Sequence, residues 1–115
     1  LVKFVFPNDD SVYMHGTPAP ALFARDRRDF SHGCIRVADP AGLAAWVLGD
    51  AGWTRARAEQ AMASATNARV DLSAPIDVVL FYLTAAVDPS TGAVRFADDI
   101  YGHDARLARA LAAAR

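Results

Sequence analysis

At 115 residues, with 53% hydrophobic and 22% charged side chains, the chain falls in the range of one ordinary folded domain and outside the disordered and fibrous classes. A chain of this size is expected to bury a core that folds without metal or disulfide staples. Its formal net charge of -1 and pI near 6.3 supply no basic field, which argues against a nucleic-acid backbone or an anionic membrane surface as partner.

Residues 2–6 read as an apolar strand, Pro7-Asn8-Asp9-Asp10 as a turn cluster, and Ser11 to His15 as a return strand, together a hairpin. Alternation places Val12 and Met14 on one face of the second strand and Tyr13 and His15 on the other. The segment from Thr17 to Phe30 opens with two prolines and closes with mixed charges, which suits a long surface loop holding one helical turn. After Ser31-His32-Gly33-Cys34 the pattern Ile35-Arg36-Val37 alternates again. Asp39-Pro40 then reads as a cap and first turn, opening a helix over 40–48 with Leu43, Trp46 and Val47 inward and Gly49 as its stop.

A second helix is expected to start after Thr54 and run to about Ala65. Ile76 to Val87 is the most continuous β-branched and aromatic run, and it predicts a central strand buried on both faces. The cluster Asp88-Pro89-Ser90-Thr91-Gly92 turns the chain back into Ala93–Ala97, and a last helix is expected near Asp104 with Leu107 and Leu111 inward. No apolar run approaches bilayer-spanning length. The chain opens at Leu1, directly in strand-like sequence, a pattern expected of a fragment whose export signal has been removed.

Cys34 is the single cysteine, so it is a buried thiol, an intermolecular link or a reactive group. His15 and Cys34 lie apart in sequence yet can meet in space, and an ordinary thiol needs an imidazole or another positive feature to become a thiolate at neutral pH. If the strand ending in His15 and the strand starting at Cys34 were antiparallel neighbours, the two side chains would come within hydrogen-bond reach. Gly33 lets the backbone turn, so that the amides of Gly33 and Cys34 can face a developing oxyanion. Arg36, two residues beyond Cys34 and about 7 Å along an extended strand, can border the thiol or hold a substrate carboxylate.

His15-Gly16, followed after a loop by Ser31-His32-Gly33-Cys34-Ile35-Arg36-Val37, resembles the signature of the L,D-transpeptidases. The stretches VKFVFPN, VYMHGTP, LFARDRRDFSHGCIRV, APIDVVLFYLTAAVD and FADDIYG resemble one large branch of the same family. The resemblance implies an exported enzyme of the periplasm or cell envelope that works in peptidoglycan biosynthesis, cell-wall biogenesis and cell shape. It would join stem peptides through a thioester on cysteine, need no cofactor or metal, and be acylated by carbapenems. Carried over by residue, Cys34 matches the nucleophile, His15 the base and the carbonyl of Gly16 the group orienting the imidazole. His32 and Gly33 match residues shaping the oxyanion site, Arg36 the motif arginine, Tyr13 a residue lining the cleft and Ser31 the small hydroxyl position.

The fold class expected is α+β: a truncated, mainly β L,D-transpeptidase catalytic fold with peripheral helices. Residues 1–115 would form a single partial domain lacking its N-terminal strands, and the uncovered sheet edge could pair with a second copy. Alone, such a piece is expected to be weakly active at best. Three other readings compete. Water in place of the acceptor amine gives a cysteine peptidase, and an unactivated thiol gives a catalytically idle peptidoglycan-binding module. His15, His32 and Cys34 as zinc ligands would need an awkward bite and an unassigned fourth donor. His103 is read as a surface or capping residue, Trp46 and Trp53 as packing residues, and Arg25 to Asp29 as a solvated loop face.

Overall fold

A computed structural model describes residues 1–114, which divide into two compact units, Leu1–Val78 and a second beginning at Val79. In the first unit β1 (Lys3–Phe4) and β2 (Met14–His15) pair antiparallel, Lys3 against His15 and Phe4 against Met14, as the hairpin pattern predicts. The connecting turn is pinned by Asn8, whose amide donates to the carbonyls of Phe6 and Val12 and whose carbonyl oxygen accepts from Val12 N–H. Residues 20–24 form the single 3-10 turn expected within the loop.

The third strand, β3 (Ile35–Arg36), corrects one expectation. It lies parallel to β2, with Met14 opposite Ile35 and His15 opposite Arg36, in the order β1-β2-β3. The long connection through residues 17–34 returns the chain to the same end of the sheet, so β3 runs alongside β2 in the same direction. Ile35 N–H donates to the Tyr13 carbonyl at 3.0 Å and Val37 N–H to the His15 carbonyl at 2.8 Å.

Helix α1 (Pro40–Val47) begins where the sequence predicts, with Asp39 accepting from Gly42 N–H at 3.0 Å. Gly42 leaves room for that cap, since a methyl there would run into the Asp39 carboxylate. The helix does not stop on Gly49: Leu48 is its C-terminal cap, residues 49–51 continue as a 3-10 turn, and the left-handed glycine is Gly52. Thr54 caps α2 (Arg55–Ala63) through Arg57 N–H. The core lies where these helices meet, on Ala41, Ala44 and Ala58, with Phe4, Trp53 and Met62 packed against it.

Small side chains let the helix backbones approach closely, so the buried face of α1 is its alanine stripe and Trp46 stands 70% exposed. Trp46 therefore does not pack inward as its spacing suggests. Nor is the core as large as chain length leads one to expect, because among the described residues no large side chain is fully buried. An ion pair from Arg55 to Asp39 ties the second helix to the cap of the first, and its guanidinium bond holds the Asp39 carboxyl below the usual carboxylate range.

In the second unit β4 (Ala85–Val87) and β5 (Val94–Phe96) form an antiparallel hairpin around the 88–92 turn, as read from sequence. Helix α3 (His103–Ala113) follows, but Leu107 and Leu111 are each 59% exposed rather than inward. The two carboxylate oxygens of Asp99 accept from His103 and Asp104 N–H, closing the helix start, and Tyr82 donates its hydroxyl to the same carboxylate. His103 is exposed at the first position of α3, the surface residue expected from the sequence, and its ring meets Tyr82 edge-on and lies tilted against Tyr101.

The largest departure concerns residues 76–87. Only Ala85–Val87 are strand, and Val79, Phe81 and Leu83 are 75%, 76% and 60% exposed. High strand propensity does not make a strand without a neighbouring backbone to complete its ladder, and among the described residues 76–84 none joins a sheet. Both layers of secondary structure anticipated for an α+β chain are present, but the strands are short and helix predominates.

Candidate active site

Every sequence-nominated residue lies in the first unit. His15 ends β2, the middle strand, where both edges are occupied. Its Nδ1 lies 2.6 Å from the Gly16 carbonyl. A carbonyl only accepts, so Nδ1 carries a proton, and in the neutral ring Nε2 is then the nitrogen with the lone pair. Gly16 is buried, its N–H bonded to the Val2 carbonyl at 3.1 Å, and the Pro40 ring closes over its Cα. Tyr13 shares the His15 face, with ring centroids 5.6 Å apart.

Ser31 organises the turn leading into β3. Its hydroxyl donates to the Cys34 carbonyl and accepts from Gly33 N–H at 3.2 Å. Gly33 has φ +149°, a conformation that side-chain-bearing residues rarely adopt, which explains glycine before the cysteine. The expected pair of free amides is therefore reduced. Gly33 N–H is directed at Ser31, whereas the Cys34 amide makes no such bond among the described residues.

Cys34 is a half-buried free thiol. With Ser31, His32, Gly33, Arg36, Asp10, Ser11 and Val12 it lines an open cleft of about 460 Å³. His15, Tyr13 and Gly16 are not among the residues lining that cleft, and no hydrogen bond joins the thiol to the imidazole among the described residues. The two remain close in the sheet. Cys34 immediately precedes β3, and since Met14 faces Ile35, extending the register sets Cys34 diagonal to His15, about 7–8 Å between backbones. Arg36 lies directly across from His15.

Sequence reasoning missed the cleft's other wall, Asp10 and Ser11, which the hairpin turn folds toward the cysteine segment. Ser11 adopts φ +56°, the one non-glycine residue with positive φ among the described residues, held by the flanking Asn8 bonds. It missed Lys3 as well, although the hairpin register places it beside His15. Among the described residues no group of three potential ligands is arranged to hold a metal.

The catalytic-domain model of the YkuD L,D-transpeptidases matches residues 1–78. The chain belongs to the L,D-transpeptidase family. The matched residues coincide with the first structural unit, which contains the whole cysteine–histidine constellation. A Haemophilus influenzae protein provisionally named an L,D-transpeptidase is 36% identical over 105 residues, which is 91% of this chain. The chain spans about a fifth (21%) of that relative's length.

Proposed function

We propose that this chain carries the acyl-transfer centre of a peptidoglycan L,D-transpeptidase of the cell envelope, with Cys34 as nucleophile, His15 as base and the Gly16 carbonyl as orienting group. The observation that carries the reading is the 2.6 Å bond from His15 Nδ1 to Gly16, because it presents a basic Nε2 on the strand beside Cys34. Catalytic hydrogen bonds often tighten only when substrate is bound, so the open arrangement is compatible with this chemistry.

In the first step Nε2 takes the thiol proton and the sulfur attacks the carbonyl carbon of the third stem-peptide residue, forming a carbon–sulfur bond. The Cys34 amide faces the developing oxyanion, and Ser31 must release Gly33 N–H before a second amide can join it. The imidazolium returns its proton to the amide nitrogen, the carbon–nitrogen bond breaks and the terminal D-amino acid leaves. An acceptor amine then attacks the thioester carbon, its proton passes to Nε2, and the carbon–sulfur bond breaks to restore the thiol. No cofactor or metal enters this sequence.

The test is intact mass after incubation with a stem tetrapeptide and, separately, with a carbapenem. An adduct on Cys34, absent in Cys34→Ala and at least tenfold slower in His15→Ala, is the expected result, within the usual reach of general base catalysis of about 10²–10⁴-fold. A second reading, an idle peptidoglycan-binding module, is favoured by the lack, among the described residues, of a bond between thiol and imidazole. Stem-peptide binding with no adduct from either reagent would establish it over the enzyme.

A further inference from the structure

We propose that Lys3 is a specificity-determining residue that binds the free carboxylate of the donor's leaving D-amino acid. The inference rests on the acyl-transfer reading above for the orientation of the substrate. In the three-stranded sheet Lys3, His15 and Arg36 form one row, Lys3 paired with His15 on one side and Arg36 on the other. Residues paired across neighbouring strands project from the same face, so the imidazole is flanked by two cations.

The Lys3 ammonium is placed by a second contact. Its Nζ lies 4.9 Å from the centroid of the Tyr13 ring, and that ring is itself 5.6 Å from the His15 ring. The ring holds the lysine stem over the His15 face while leaving ammonium protons for an anion. Neither Lys3 nor Arg36 is ion-paired with a carboxylate among the described residues. Two uncompensated cations on either side of the proposed base are a poor arrangement for a purely structural row, since like charges gain nothing from proximity.

The geometry of the leaving group supplies their use. When the peptide bond breaks, His15 must protonate the leaving nitrogen, which fixes that nitrogen near the ring. The carboxylate sits on the carbon bonded to that nitrogen, so it also lies close to the imidazole and within reach of a cation beside it. Arg36 borders the cleft that contains Cys34, leaving Lys3 as the cation on the far side of His15. A D-amino acid entering as acceptor would present its amine and carboxylate in the same way, and Lys3 would bind it at the same place.

The experiment measures binding by titration calorimetry in the Cys34→Ala chain, where no acylation intervenes. The probes are a stem tetrapeptide with a free C-terminal carboxylate and the same peptide as its C-terminal amide. The free acid is expected to bind roughly three- to fivefold more tightly, the upper range for an exposed ion pair. Lys3→Met should abolish that preference by weakening the acid alone, and Lys3→Arg should restore it. Raised salt should narrow the gap.

Equal affinity for acid and amide, a preference that survives Lys3→Met, or no binding of either peptide overturns the proposal. Should Lys3→Met fail to fold, Lys3→Gln makes the same neutral replacement and is read the same way, and equal affinity for acid and amide overturns the proposal with no mutation at Lys3. Thioester formation by the Cys34-containing chain without this discrimination sinks Lys3 alone. Discrimination in a chain that forms no thioester sinks the enzymatic reading alone.

Discussion

Gly16→Ala adds one methyl where β2 ends and α1 packs over it. An ideal Cβ there would sit 3.3 Å from Pro40 Cγ, 3.6 Å from Pro40 Cβ and 3.7 Å from Leu1 Cδ2. Carbon pairs are comfortable at about 3.5–4.0 Å, so the first contact is tight by a few tenths of an ångström. The Pro40 ring begins α1, and α1 is locked against α2 through Ala41, Ala44 and Ala58, so it cannot swing aside as a free side chain would. One carbon of overpacking at such a site costs about 1 kcal/mol.

Relief by rotating the Gly16 peptide would displace the carbonyl that orients His15. Such a bond contributes about 0.5–1.5 kcal/mol net, and its complete loss corresponds to roughly a twofold to tenfold fall in rate. Urea unfolding followed by Trp53 fluorescence in a Trp46→Phe background reads the first effect, and the rate of carbapenem adduct formation reads the second. We expect a lower midpoint together with slower acylation. A variant that unfolds earlier but acylates at the original rate would refute the coupling of Pro40 packing to imidazole orientation.

Gly33→Ala should cost about 1–3 kcal/mol through backbone strain, since its Cβ would meet nothing nearer than Val12 Cγ2 at 3.9 Å; an unchanged urea midpoint would show that the loop relaxes. For Asp99, partial desolvation raises the carboxyl pKa, but bonds from Asp104 and His103 N–H outweigh it and leave the pKa below the ordinary aspartate value of 3.8. A depressed folded-state pKa contributes stability that is present above 3.8 and is lost as pH falls through the folded value. The His103 and Asp104 amide resonances should therefore shift below pH 3.8 with loss of helical far-UV signal, and Asp99→Asn should remove that acid transition. Phe81→Lys should raise solubility and change stability by no more than about 0.5 kcal/mol, because Phe81 is 76% exposed; a large drop in the unfolding midpoint would show that the ring is buried in solution.

Features governed by neighbouring residues were legible. Asp39-Pro40 and Thr54 cap their helices because a side-chain oxygen satisfies an amide a few residues away, and the 88–92 turn forms a hairpin because its strands adjoin it. Features requiring a distant partner were not. The run 76–87 carries every local mark of a strand, yet only its last three residues become strand. The buried face of α1 escaped for a related reason. Apolar spacing nominated Leu43, Trp46 and Val47, but the approach of α2 selected the smaller Ala41 and Ala44 for burial.

The site divides along the same line. Alternation alone puts Tyr13 and His15 on one face, and the ring contact between them agrees. The relation of His15 to Cys34 depends on the direction of β3, which is set by the path of residues 17–34 and is parallel rather than antiparallel. A parallel neighbour offers His15 a diagonal approach to Cys34 in place of a directly opposed one, which accounts for the unclosed gap. His15 lies on the middle strand with its ring bonded to Gly16, whereas Cys34 precedes its strand on a turn held chiefly by the Ser31 hydroxyl. Of the two partners, the imidazole is the more fixed. Closing the gap therefore falls to residues 31–34, and the same movement would free the Gly33 amide from Ser31 to face the oxyanion. On this argument the activation proposed for Cys34 and the completion of the proposed oxyanion site are one event.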